Sequence, residues 1–89
     1  MEIEFDSNKD TANIEKHGIS LANATALEWE YLLAKQDDRS EYSEVRMIGY
    51  APIDHRVYCV VYTDRNNIRR IISLRKANKR EVIQYANQV

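Results

Sequence analysis

The chain has 89 residues, a formal net charge of −1, 30% charged and 44% hydrophobic residues, and a single cysteine. Such a length holds one domain, residues 1–89, with a limited core and no room for a second module. One cysteine excludes an internal disulfide, no apolar run approaches the roughly 18 to 20 residues that span a bilayer, and the acidic start MEIEFD is unlike a secretory leader, so a cytoplasmic protein without a membrane partner is expected.

In chain order, Ile3 and Phe5 alternate with Glu2, Glu4 and Asp6, which predicts a short edge strand with one apolar face. Asp6 or Ser7 can cap a helix running through Asp10, Asn13 and Ile14 to His17, where Gly18 supplies the left-handed residue that ends helices. Ser20 then caps a second predicted helix, in which Leu21, Ala24, Leu27, Tyr31 and Leu32 follow the helical period and would lie across a sheet. The polar stretch 36–43, QDDRSEYS, reads as a surface loop.

Val45 to Tyr50 reads as a strand, and residues 51–55, with the one proline, as a turn. Arg56 to Thr63 is the most apolar strand, and Cys59 within it is a small core residue. Residues 64–67 reverse the chain into a strand from Ile68 to Leu74. Asn78 and Glu81 form a capping box for a last helix, on which Val82, Tyr85 and Ala86 make a core face. The sum is an α+β domain of two layers, with an N-terminal strand, two helices, a three-stranded antiparallel meander and a C-terminal helix. Helices would cover one sheet face and leave the other partly open to a ligand.

Charge divides along the chain. Residues 1–54 carry five Lys/Arg against twelve Asp/Glu, a balance of −7; residues 55–89 carry eight against two, a balance of +6. The division points to phosphate or an acidic protein as partner of the C-terminal third, or to two halves that neutralise each other in the fold.

Several short pieces together carry a resemblance: Phe5-Asp6, Lys9, Asn13, KHGIS at 16–20, Glu44 and Arg46 ahead of Gly49, VVYTDR at 60–65, and RIISLRKANKREV at 70–82. In this order and spacing the chain resembles the BrnT family of toxins from type II toxin-antitoxin systems, over nearly its whole length. It departs from the family at EWEYLL, residues 28–33, and at Leu74, where alanine is common. The resemblance implies a RelE-like ribonuclease fold and an RNA-cleaving toxin that inhibits translation. It also implies a BrnA-like antitoxin with a ribbon-helix-helix domain as partner in a hetero-oligomer, which touches operator DNA only through the antitoxin.

Cleavage of RNA without a metal requires the ribose 2′-OH to attack the adjacent phosphorus in line, helped by a base, by cations and by an acid. The catalytic candidates are His17, whose ordinary pKa is near 6.5, its neighbour Lys16, and Arg46, Arg65 and Arg75. At a helix C-terminus His17 would favour its protonated form. Arg69, Arg70, Lys76, Lys79, Arg80 and Tyr85 are RNA-binding candidates, and strand alternation places Arg69 and Arg75 on one face and Arg70 on the other. His55 reads as a bystander. Two histidines and one cysteine give no metal-ligand spacing, and two glycines give no phosphate loop, so no cofactor is expected. A non-catalytic basic binding module, or an inactive toxin acting as co-repressor with its antitoxin, is the alternative reading.

Overall fold

A computed structural model describes residues 2–38 and 44–88. One five-stranded mixed sheet organises them, with strands β1 (Glu2–Phe5), β2 (Leu33–Asp37), β3 (Arg46–Ile53), β4 (Arg56–Arg65) and β5 (Ile68–Lys76). In space they run β1-β5-β4-β3-β2. Two helices accompany the sheet, α1 (Ser7–His17) and α2 (Lys79–Gln88). The α+β class stands, but the expected RelE-like layout is altered: the meander β3-β4-β5 is widened by β2 and by β1, which joins β5 in parallel. No helix among the described residues is long and apolar enough to cross a membrane.

Local chemistry sets α1 where expected. The Asp6 carboxylate accepts from the amides of Asn8 and Lys9, and Gly18 closes the helix at φ 73° with its amide bonded to the Ile14 carbonyl. The second predicted helix is replaced by two 3₁₀ segments, Leu21–Ala26 and Trp29–Tyr31. Here the Asn23 and Thr25 side chains donate to the carbonyls of Ser20 and Ala22, acceptors that an α-helix needs for its amides. Past Leu27 the Glu28 amide donates to the Pro52 carbonyl, which pulls the chain toward β3.

Residues 33–37, expected at the end of a helix and the start of a loop, instead form β2 along β3. Gly49 makes this possible: a Cβ there would meet Leu32 Cδ1 at 2.7 Å and Ala34 Cβ at 2.9 Å. Residues 39–43 of the expected loop lie outside the described residues. β3 also runs on through Pro52 to Ile53, because β2 ends opposite Tyr50 and the missing proline donor faces no partner strand there. The reversal between β4 and β5 narrows to Asn66 and Asn67, at φ 50° and 67°, a two-residue turn of the twisted-hairpin type.

One sheet face carries the core. Val60, Tyr62, Ile71, Leu74 and Ala51 pack there against Leu21, Ala24 and Leu27 of the first 3₁₀ segment, with Ile3, Phe5 and Trp29 at the margin. A bulge in β5 decides what the other face holds. Tyr62 pairs with Ile71 and Val61 with Ser73, so Ile72 is an extra residue that reverses the alternation. Arg70 and Arg75 therefore share the open face, opposite Thr63 and Cys59, while Arg69, opposite Asp64, points to the core face. Simple alternation, which grouped Arg69 with Arg75, is corrected by this one residue.

Candidate active-site trough

The open face forms a trough of about 530 Å³, floored by Ile48, Cys59, Val61 and Ser73 and walled by Lys9, Lys16 and His17 of α1. Arg75 stands at the same wall. Helix α1 reaches this place through Asn13, which is only 5% exposed. Its Nδ2 donates to the carbonyls of Ile19 (2.9 Å) and Leu74 (2.8 Å), and its Oδ1 accepts from the Leu74 amide (3.2 Å). Leu74 lies beyond the end of β1, where the backbone of β5 has no strand partner on that side, so one side chain replaces a strand. His17 follows Asn13 by one helical turn and thus shares its face.

Desolvation, Lys16 and Arg75 all push the His17 imidazole below its ordinary value of 6.5. This runs against the expectation of a helix-favoured imidazolium: burial and the neighbouring cations oppose protonation and favour the neutral ring.

Arg75 is held end-on by Glu81. Its Nη1 and Nη2 donate to the two carboxylate oxygens at 2.9 and 3.0 Å, and Nη1 also donates to the Lys76 carbonyl. Three of its five N–H groups are thereby used; Nε and one Nη2 hydrogen, side by side on one edge, make no hydrogen bond among the described residues. Glu81 accepts further from the Asn78 amide (2.8 Å) and the Tyr50 hydroxyl (2.9 Å), while its own amide donates to Asn78 Oδ1. The capping box thus has a second task. The Arg75 guanidinium holds the Glu81 carboxyl down at about 2 and is itself raised above the ordinary arginine value. Burial and the bond to Glu81 raise the Tyr50 phenol, which stays a donor.

The other candidates fall elsewhere. Arg65 pairs in two-point fashion with Glu44 (2.7 and 2.9 Å), and Arg70 with Glu4 (2.7 Å) and more distantly with Asp6 (3.9 Å). Arg46 shares the open face but lies four residues along β3 from Tyr50, roughly 13 Å at strand rise, in the field that also includes Glu44. Arg46 and Arg65 are therefore not brought to His17. Arg69 is excluded from the trough altogether: it stacks 4.2 Å over the Tyr62 ring and 4.9 Å over Trp29, and binds Asp64 at 2.8 and 2.9 Å. Lys76, Lys79 and Arg80 are exposed where β5 meets α2 and do not line the trough; Lys76, opposite Tyr58, falls on the core side of the sheet.

Tyr85 is half-buried and its hydroxyl donates to the Tyr31 carbonyl. The predicted core face of α2 is corrected, since no residue of that helix is fully buried and Ala86 is exposed. His55 lies in the exposed β3–β4 turn. The sequence did not reveal that Glu81 and Tyr50 position Arg75. Capping alone explained Glu81, and nothing local ties Tyr50 to a residue so far along the chain. No group of three His, Cys, Asp or Glu side chains placed to hold a metal occurs among the described residues.

Comparison with curated proteins gives no significant match. Comparison with protein families matches residues 5–81 to the family described as "Ribonuclease toxin, BrnT, of type II toxin-antitoxin system". The matched span begins at Phe5 and closes on Glu81, taking in every residue that lines the trough, and the chain belongs to the BrnT family of ribonuclease toxins.

Proposed function

We propose that this chain acts as a single-domain endoribonuclease toxin that cuts RNA without a metal ion, inhibits translation in the cytoplasm and is neutralised by a BrnA-like ribbon-helix-helix antitoxin. The observation that carries the catalytic reading is the meeting of His17, from the first helix, with Arg75, from the last strand, in one open trough. Neutral His17 takes the proton of the ribose 2′-OH; the oxygen attacks the adjacent phosphorus, and the 5′-oxygen leaves. The side-on edge of Arg75 receives two phosphate oxygens as their charge develops. Lys16, next to His17, supplies the proton for the leaving oxygen. The products are a 2′,3′-cyclic phosphate and a 5′-hydroxyl. The exposed Lys76, Lys79 and Arg80, near the start of α2, attract the flanking RNA backbone.

The test is cleavage of RNA by the purified protein in EDTA, with and without ribosomes. Arg75→Ala and His17→Ala are expected to remain folded and to lose about 100-fold or more of the rate. Full cleavage by folded Arg75→Ala removes it from the chemistry. RNA binding without cleavage under every condition favours the binding-module or co-repressor reading instead.

A further inference from the structure

Beside the trough a smaller groove of about 250 Å³ runs between α2 and strands β2 and β3. Leu33 and Ile48 give it an apolar base, Tyr50 and Tyr85 flank it, and Gln84 and Gln88 project along it from α2. It is continuous with the trough: Ile48 lines both, and Glu81, which grips Arg75, lines the groove. Both phenol hydroxyls are spent inside the protein, on Glu81 and on the Tyr31 carbonyl, so the two rings are fixed and offer only their carbon surface. The Gln84 and Gln88 amides, by contrast, make no hydrogen bond among the described residues, and each holds a donor and an acceptor.

Flat aromatic and aliphatic walls with free amides at the edge suit a planar, polar-edged ligand. Single-stranded RNA offers one: an unstacked base, packed on aromatic side chains and read along its hydrogen-bonding edge. From the Tyr50 hydroxyl to Glu81 is 2.9 Å, and from Glu81 to Arg75 is 3.0 Å, so a phosphate on the free edge of Arg75 has the groove one side chain away.

We infer that this groove is a nucleobase subsite, which takes a base next to the scissile phosphate and sets the cleavage preference through Gln84 and Gln88. The inference rests on the ribonuclease reading for its substrate, but binding tests it apart from catalysis. In His17→Ala protein, affinities would be measured for short single-stranded oligoribonucleotides that differ at one position across the four bases. At one position the best and worst base should differ by about tenfold, the scale of a good side-chain contact to a base edge. Gln84→Ala combined with Gln88→Ala should level the four affinities while the binding of a base-free ribose phosphate chain stays unchanged. Equal affinity for all four bases, or a preference that survives both substitutions, overturns the subsite. Should the unsubstituted protein cleave no RNA while the base preference depends on Gln84 and Gln88, the subsite stands and only the catalytic reading falls.

Discussion

Replacing Asn13 by alanine tests how the fold positions the site. The substitution removes three hydrogen bonds and leaves the Leu74 amide and carbonyl, and the Ile19 carbonyl, without their partner. A buried backbone group left unpaired costs about 1–3 kcal/mol, and water entering the vacated space recovers part of this, so a loss of about 2–4 kcal/mol is expected. For 89 residues the whole stability is on the order of 4–13 kcal/mol, so the effect is a large fraction of it. Urea unfolding followed by Trp29 fluorescence reads it as a lower midpoint at unchanged slope. Asn13→Asp keeps the acceptor for the Leu74 amide but turns a carboxylate oxygen toward two carbonyl oxygens, and should cost more than alanine at neutral pH. Because His17 follows one turn later, cleavage by Asn13→Ala should fall further than its folded fraction. A loss under about 0.5 kcal/mol, or alanine worse than aspartate, refutes this account of the amide.

Three further outcomes are expected. An NMR titration of His17 should give a midpoint below 6.5, and Lys16→Ala should raise it by removing one like charge; a midpoint above 6.5 would make His17 an acid in the resting protein. Glu81 falls from its ordinary 4.5 to about 2 on folding, so its contribution is complete above about pH 4.5 and is lost as pH falls through 4.5 toward 2. That contribution is at most about 3 kcal/mol, less for solvent screening of the partly exposed Arg75, and Glu81→Gln should flatten the acid limb of a stability–pH curve. Arg69→Ala should cost about 2 kcal/mol of stability through its ring contacts and ion pair, yet leave the RNA affinity of the folded protein unchanged; a clear loss of affinity contradicts its place on the core face.

What could be read in the sequence was local. Asp6 and Gly18 bound α1, Asn78 and Glu81 start α2, and the Asn66-Asn67 turn joins β4 to β5, each through bonds within a few residues. The misread elements depend on distant partners. Leu33–Asp37 has no β-branched residue and becomes a strand only because Gly49 admits it. The apolar spacing of 21–32 is real, but the side chains of Asn23 and Thr25 take the carbonyls an α-helix would use. The site depended most on the bulge at Ile72, which no spacing rule announces: it exchanges the faces of Arg69 and Arg70 relative to Arg75.

The same geometry explains why a strongly basic C-terminal third does not amount to a broad cationic face. Arg70 is answered by Glu4 and Asp6 and Arg65 by Glu44, all from the acidic half, while Arg69 and Arg75 find Asp64 and Glu81 nearby. Pairing between the two halves thus neutralises two of the eight basic residues of the C-terminal third, and pairing within that third two more. Lysines 9 and 16 at the wall of the trough, and the exposed Lys76, Lys79 and Arg80 near the start of α2, make no ion pair among the described residues and can attract a polyanion. Arg75 differs from both groups. Its charge is held in place by Glu81, and Glu81 in turn by Tyr50 and the first turn of α2, yet two of its donors make no hydrogen bond among the described residues and Arg75 lines the trough. A guanidinium fixed in this way loses little conformational freedom when phosphate binds, which is what stabilising a short-lived charge requires. On the proposed reading, the exposed lysines gather the RNA and the anchored arginine acts on one phosphate.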